Sequence, residues 1–81
     1  MKSVHVKWID SGMESGWRDI DSGFKGSEII VDSLGFIIYE DEKIICLAHN
    51  YSDETDNSSV QANGIMTIPK CSVLKIDPIS F

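Results

Sequence analysis

The sequence is poor in the features that mark specialised classes of protein. It contains 2 cysteines, 2 prolines, and only 7 lysines and arginines against 13 aspartates and glutamates. The longest uncharged apolar run, Ile44 to Ala48, is far too short to cross a bilayer. The first residues lack the apolar stretch of a signal peptide. We therefore expect a cytoplasmic protein that makes no contact with a membrane.

Because basic residues are scarce, the formal net charge is −6 and the pI is near 4.6. A broad acidic surface repels phosphate backbones, which argues against general nucleic-acid binding and suits a basic protein partner. The alternative explanation is that the acidic surplus keeps a small protein soluble. Between residues 40 and 56 only Lys43 opposes the acids. The residues assigned to a protein-interaction surface are Glu40, Asp41, Glu42, Asp53, Glu54 and Asp56.

Neither the cysteines nor the glycines form a catalytic or metal-binding motif. Cys46 and Cys71 lie in apolar segments, so we expect two buried thiols rather than a disulfide. His5 and His49 add further zinc-ligand types, but no C-x-x-C is present, and Cys46 and His49 point to opposite faces of one strand. The glycines match no phosphate-binding fingerprint, and there is no G-x-S-x-G element. The sequence predicts no enzymatic activity, metal or cofactor.

The pattern that is present is that of β-strands within one domain, residues 1–81. Val4, Val6 and Trp8 alternate with more polar neighbours, which is typical of a half-buried strand. A bend or bulge near Gly35 would let one long strand serve both halves of a barrel. The further strands are predicted at residues 28–39, 43–50, 64–68 and 73–76.

The first three connections between these strands are predicted to be loops or turns. Residues 10–27 contain glycines and scattered charges with no helical period, which predicts a long loop, and we expect Trp17 and Phe24 to fold back from it onto the sheet. Residues 40–42 predict a hairpin turn. Residues 51–62 are predicted to form a polar, acidic loop, and the dipeptide Asn63-Gly64 indicates a tight turn with positive φ.

The end of the chain predicts the fold most specifically. Proline cannot donate a hydrogen bond to a neighbouring strand, so Pro69 must end its strand. Residues 70–72 fit one 3₁₀ turn, and apolar residues resume at Val73 and Ile76. This strand–turn–strand ending resembles the last two strands of SH3-like small barrels. The resemblance implies an all-β fold, an SH3-like (Sm-like) barrel of about five strands with a long first loop and a 3₁₀ turn before the last strand.

The predicted hairpin is apolar on both faces, since Phe36 and Ile38 lie on one side and Ile37 and Tyr39 on the other. A single-layer sheet normally buries one face and exposes the other to water. The second face is covered either by the loop that carries Trp17 or by another subunit. Of these alternatives we favour a homo-oligomer.

Five residues are candidates for ligand binding. Trp17 and Tyr51 are amphipathic aromatics that can stack on planar rings. Arg18, next to Trp17, can hold a phosphate or carboxylate with two hydrogen bonds. His49 and Lys70 are expected near the ends of adjacent strands, where they would converge. An aromatic ring beside basic groups predicts a site for a nucleotide-like molecule.

Several short motifs resemble those of a family of small, largely uncharacterised accessory proteins of phages and prophages. The motifs are Val6-Lys-Trp8, Gly16-Trp17, Ser33-x-Gly35-Phe36, Leu47-Ala-His49 and Ile68-Pro-Lys70. The resemblance implies a counter-defence protein in the host cytoplasm that sequesters a small nucleotide-like signal. The alternative is an acidic interaction module that docks on and inhibits a host defence protein. The resemblance brings no catalytic residues.

Overall fold

The computed structural model describes residues 2–53 and 59–80, which form an all-β domain. The five strands make one antiparallel sheet in the order β4-β3-β2-β1-β5. The predicted all-β class, long first loop and 3₁₀ turn before the last strand are confirmed. The elements are β1 (Ser3–Asp10), β2 (Ile29–Glu40), β3 (Ile44–Ser52), β4 (Gln61–Pro69), a 3₁₀ turn (Lys70–Ser72) and β5 (Val73–Pro78).

Pro69 ends β4, as the sequence predicts. Its φ of −64° suits the ring, and the next residue, Lys70, begins the 3₁₀ turn. The Lys70 N–H donates to the Lys43 carbonyl at 2.8 Å, which holds the start of the turn against the beginning of β3. The chain then crosses to the far side of the sheet, where β5 pairs with β1.

The long strand β2 is shared between two neighbours. Its first residues, up to Phe36, pair with β1, and the residues from Phe36 onward pair with β3. The register against β3 shifts between Ile37 and Tyr39, which is the mark of a bulge. At Gly35, just before the exchange of partners, a Cβ atom would lie 2.9 Å from the Ala48 carbonyl oxygen. As predicted, one long strand is shared between two neighbours, but the sheet that contains it is open.

The hydrophobic core lies on one face of this sheet. The predicted alternation in β1 is confirmed, because Val4, Val6 and Trp8 are buried while the residues between them are not. The Trp8 Nε1–H donates to the Ser33 hydroxyl at 3.0 Å, so the polar atom of the indole is satisfied in the core. The remaining members of the core cluster are Ile45, Leu47 and Ile68, with Val31, Ile37, Met66 and Val73 packed against it.

Residues 11–28 form a projecting segment that we call the arm, and every residue in it is exposed. Trp17 is fully exposed and Phe24 is about half exposed, so the expectation that they fold back onto the sheet is wrong. The physical reason is that β1 and β2 stay paired up to Asp10 and Ile29, and the arm therefore leaves from the end of the sheet. The molecule measures 63 × 25 × 24 Å.

The radius of gyration supports an extended arm. Its value is 17.4 Å, whereas a compact chain of this length has a radius of gyration of about 12 Å. Within the described residues the arm is held by few contacts of its own. They include the Glu14–Arg18 ion pair, the Arg18–Phe24 contact, the turn around Asp19 and the hydrogen bond from the Ser11 N–H to Asp10.

The sheet is open, with β4 and β5 as its two edges. Ile76 lies directly opposite buried Val6, on the core face, yet it remains 40% exposed because no further strand covers it among residues 2–53 and 59–80. No helix in the described part of the chain is long and apolar enough to span a membrane.

Candidate ligand-binding site

Two of the predicted ligand-binding residues, His49 and Tyr51, lie together near the end of β3. The Tyr51 ring meets the Phe36 ring edge-on, with the centroids 4.8 Å apart and the planes at 82°. This contact fixes the orientation of the half-buried phenol. In the register of β3 and β4, His49 lies beside Gly64, where a Cβ atom would come within 3.2 Å of the His49 side chain. Gly64 also has a φ of +71°, so a glycine is required there.

Residues with carboxamide side chains neighbour Tyr51 in β3 and in the paired part of β4. A concavity of about 250 Å³ is lined by Tyr51 together with Asn50, Gln61 and Asn63. A second concavity, of about 320 Å³, lies at the same end of the sheet and is lined by His49, Leu34 and Phe36 among others. Carboxamides both donate and accept hydrogen bonds, and an aromatic face can stack on a planar ring. This end of the sheet can therefore bind a planar, polar heterocycle.

The sequence did not identify these carboxamides as binding residues. It predicted a loop through residue 62 and a tight turn at Asn63-Gly64, and both predictions are wrong in part. Gln61–Pro69 is a strand, and Asn63 pairs with Asn50 across the β3–β4 ladder. The signal in the sequence is Asn50-Tyr51, where a carboxamide side chain stands next to an aromatic one. Asn63, which faces Asn50, has the same side chain.

Lys70 does not join this site. Pro69 pairs with Ile44, so Lys70 lies beside the beginning of β3, whereas His49 is further along the same strand. Five residues of β-strand span roughly 17 Å. The expected convergence of His49 and Lys70 is therefore wrong, because an antiparallel hairpin brings the end of β4 back to the start of β3. The Lys70 ammonium instead contacts the Glu40 carboxylate at 2.6 Å.

Trp17 and Arg18 are also distant from Tyr51 within one chain. The arm leaves from the Asp10 end of β1, and Phe36 pairs with Ser3 at the opposite end. That separation corresponds to seven strand residues, or roughly 24 Å. The Arg18 guanidinium contacts the Glu14 carboxylate at 2.6 Å and lies 5.2 Å from the centroid of the Phe24 ring.

The acidic residues that the structure describes do not form one continuous surface. The hairpin acids Glu40, Asp41 and Glu42 precede β3, whereas exposed Asp53 follows it, so the length of a strand separates them. Glu54 and Asp56, also assigned to the interaction surface, lie outside the described residues.

Asp41 has a structural role in the hairpin turn. Its Oδ1 accepts hydrogen bonds from the N–H groups of Lys43 at 2.8 Å and Ile44 at 2.9 Å, and its Oδ2 accepts one from the Tyr39 hydroxyl at 2.9 Å. The N–H of Lys43, then that of Ile44, then the Tyr39 hydroxyl lower the pKa of Asp41. In turn, the hydrogen bond to Asp41 raises the pKa of Tyr39.

Replacing Asp41 with alanine is expected to lower the thermal midpoint by a few degrees at pH 7. Because the folded-state pKa of Asp41 is lowered, its ionised form stabilises the fold above the unfolded-state pKa of about 3.9. That contribution is lost as the pH falls through the folded-state value. The difference in thermal midpoint between D41A and the parent protein should narrow below about pH 4. Circular-dichroism melts of D41A, with D53A as an exposed control, measure this difference. A difference in thermal midpoint that is independent of pH would contradict this role.

A second cluster of charges lies on the face opposite the core. His5 Nε2 lies 2.8 Å from Asp32 Oδ1, and Lys7 Nζ lies 3.6 Å from the same oxygen. The hydrogen bond with His5 lowers the pKa of Asp32 most strongly; partial loss of hydration opposes it, and the charge of Lys7 adds a lesser lowering. Lys7 also lies directly opposite Lys75 across β1 and β5.

The two cysteines are free, and they differ in exposure. Cys46 is buried as expected, with its sulfur 3.4 Å from the Thr67 hydroxyl. Cys71 is exposed, so the expectation of a second buried thiol is wrong; it lies in the 3₁₀ turn, none of whose residues is buried. Within residues 2–53 and 59–80, no three histidine, cysteine or acidic side chains lie close enough to hold a metal ion.

Comparison with known proteins finds no match to a family model, a curated protein or a solved structure.

Proposed function

We propose that this chain is a non-enzymatic binding protein that sequesters a small nucleotide-like molecule at the end of the sheet formed by β3 and β4. The observation that carries the proposal is the concavity in which Tyr51 lies beside Asn50, Gln61 and Asn63. An aromatic ring and carboxamide groups are the two kinds of group with which proteins recognise a nucleobase.

The first interaction is stacking. The edge-on contact with Phe36 holds the Tyr51 ring in one orientation. An ordered aromatic ring loses little conformational freedom when a base stacks on it, and such stacking contributes about 1–3 kcal/mol per base.

The second interaction is hydrogen bonding to the edge of the base. Asparagine and glutamine pair with adenine through two hydrogen bonds, because the carboxamide presents a donor and an acceptor side by side. Asn50 and Asn63 face each other across the ladder, with Gln61 two residues further along β4. We therefore assign base selection to these three side chains, with a purine as the preferred base.

The charge of the chain favours a ligand with few phosphates. The net charge is −6, and two of the predicted phosphate-binding residues already have acidic partners, Glu14 for Arg18 and Glu40 for Lys70. His49 is the predicted basic residue at the same end of the sheet as Tyr51. Base recognition rather than phosphate attraction would then supply most of the affinity.

We extend the proposal to the fold family and the biological setting. The strand order and the 3₁₀ turn between β4 and β5 support an SH3-like small barrel. The resemblance of the sequence motifs to phage accessory proteins supports a counter-defence role, in which the protein removes a nucleotide signal from the cytoplasm of the host.

Calorimetry with adenosine, AMP, ADP-ribose and cyclic dinucleotides tests the proposed function. We expect at least one of these ligands to bind, and Tyr51→Ala to weaken it by roughly tenfold or more through loss of stacking. Tyr51→Phe keeps the ring and should retain most of the affinity. Asn63→Ala should reduce the preference for purine over pyrimidine.

Lys70→Ala is the matched control, because Lys70 lies at the other end of β3. The proposal fails if no ligand of the panel binds, or if Lys70→Ala weakens binding as much as Tyr51→Ala does. Native mass spectrometry of the protein as purified gives a second readout, namely a bound molecule that Tyr51→Ala no longer retains.

A further inference from the structure

The sheet has an exposed apolar surface on the face opposite the core. Phe36 pairs with Ala48 and Ala48 with Ile65, so these side chains share one face across three strands. Leu34 and Tyr39 extend the same face along β2. Ala48 is buried beneath its neighbours, but Leu34, Tyr39 and Ile65 are each more than half exposed. We call the surface formed by Leu34, Phe36, Tyr39 and Ile65 the outer patch.

The arm presents a second exposed apolar surface. Met13 is 95% exposed, Ile20 is 72% exposed and Trp17 is fully exposed. A tryptophan that contacts solvent on all sides is unusual, because its side chain buries about 150–250 Å² when it packs. Both the arm and the outer patch therefore have apolar surface without a partner in the described part of one chain.

We infer that two copies of this chain exchange arms, so that the arm of one copy packs its Trp17 on the outer patch of the other. Each copy holds one arm and one patch, which matches the stoichiometry of a two-fold pair. An exchange of identical segments is a low-cost route to a dimer, because the same contact forms twice. The arm already projects from the end of the sheet, and no strand has to open for the exchange.

The area is sufficient for a stable pair. The exposed apolar side chains of the arm offer on the order of 500 Å² per copy, given the surface of a fully exposed tryptophan and its smaller neighbours. Counting both surfaces of both contacts gives on the order of 2,000 Å², the upper end of the range for specific interfaces. This contact does not use an open edge of the sheet. It therefore differs from an association in which edge strands of two copies pair.

Sedimentation analysis of the ligand-free protein, with two variants, tests the inference. Trp17→Ala with Ile20→Ala alters the arm, and Leu34→Glu with Ile65→Glu alters the patch. All four residues are exposed, so each variant should keep its circular-dichroism spectrum and melting behaviour as a monomer. We expect the parent protein to be a dimer at micromolar concentration and each variant to raise the dissociation constant at least roughly tenfold.

Mixing the two variants identifies which surfaces meet. A mixed pair contains one unaltered arm, from the patch variant, and one unaltered patch, from the arm variant. The mixture should therefore form dimers at concentrations where each variant alone is monomeric. Leu74→Ala, at an exposed position of β5, is the control and should leave the dimer unchanged.

Three results would overturn the inference. The first is a parent protein that stays monomeric at high micromolar concentration. The second is an oligomer that both variants leave intact, which would indicate pairing of the sheet edges. The third is a mixture with no dimer, which would indicate contact between two arms or between two patches. None of these results depends on a nucleotide, so they leave the proposed function to be judged by its own test.

Discussion

Trp8→Ala is expected to destabilise the fold by about 3–5 kcal/mol, the usual cost of removing a large aromatic side chain from a core. Trp8 is 9% exposed and belongs to the core cluster with Val4 and Val6. Its removal leaves a cavity and takes away the hydrogen-bond donor of the buried Ser33 hydroxyl. Small domains have a total stability of about 5–15 kcal/mol, so the variant would lose a large share of its stability.

Trp17→Ala is the matched control for this prediction, because Trp17 is the other tryptophan of the chain and is fully exposed. Urea titrations at concentrations low enough to keep each protein monomeric measure the free energy of unfolding. Trp17→Ala should leave it unchanged within about 0.5 kcal/mol. Equal losses in the two variants would show that Trp8 is not part of the core.

Trp8→Phe separates the two contributions of the side chain. Phenylalanine retains much of the apolar volume but cannot donate to Ser33, whose hydroxyl is buried. We expect a loss of about 1–3 kcal/mol, because the buried Ser33 hydroxyl keeps only its weak hydrogen bond to the Met66 sulfur. Trp8→Phe with Ser33→Ala should then lose less than the two single changes together, since the double variant leaves no hydroxyl unsatisfied.

Gly35→Ala is expected to cost about 1–3 kcal/mol, because the added methyl group has no space. It would lie 2.9 Å from the Ala48 carbonyl oxygen and 3.1 Å from the Leu47 Cβ. The nearer atom belongs to the backbone of β3 and cannot rotate away. The contact must therefore push β3 from β2 at the point where β2 changes its pairing partner.

Gly26→Ala is the control for this substitution, since a Cβ atom there has no neighbour within 4 Å. The same chemical change should be neutral or slightly stabilising in the arm. Amide hydrogen exchange adds a local readout, in which Gly35→Ala should accelerate exchange in β3 more than in β5. If the two glycine variants unfold at the same urea concentration, the close contact between β2 and β3 is not present.

The strands could be predicted where the sequence pattern is local. Val4, Val6 and Trp8 repeat every second residue, and Pro69 stops β4 through its missing N–H group, so both features are visible in a few consecutive residues. The 3₁₀ turn at Lys70–Ser72 follows from the same local chemistry. The closed barrel implied by the resemblance does not follow from local pattern, because closure needs β4 and β5 to pair. The described strands form an open sheet.

The candidate site could be predicted only in part. The sequence singled out Tyr51 and His49 as candidates because aromatic and imidazole side chains bind ligands in many proteins. Asn63 was assigned to a turn, because Asn-Gly is a strong turn signal when its partner strand is unknown. In the structure Asn63 faces Asn50, and the glycine that follows it allows the backbone to pass close to His49.

The sequence by itself determined that this chain is a β protein, where several of its strands begin and end, and which residues of β1 are buried. The tertiary structure alone decided that Lys70 and His49 lie apart, that the acids at Glu42 and Asp53 occupy opposite ends of β3, and that the arm projects. The physical reason is that a residue's neighbours across a sheet depend on the register of two distant segments. That register is fixed by the packing of the core as a whole, and no short stretch of sequence contains it.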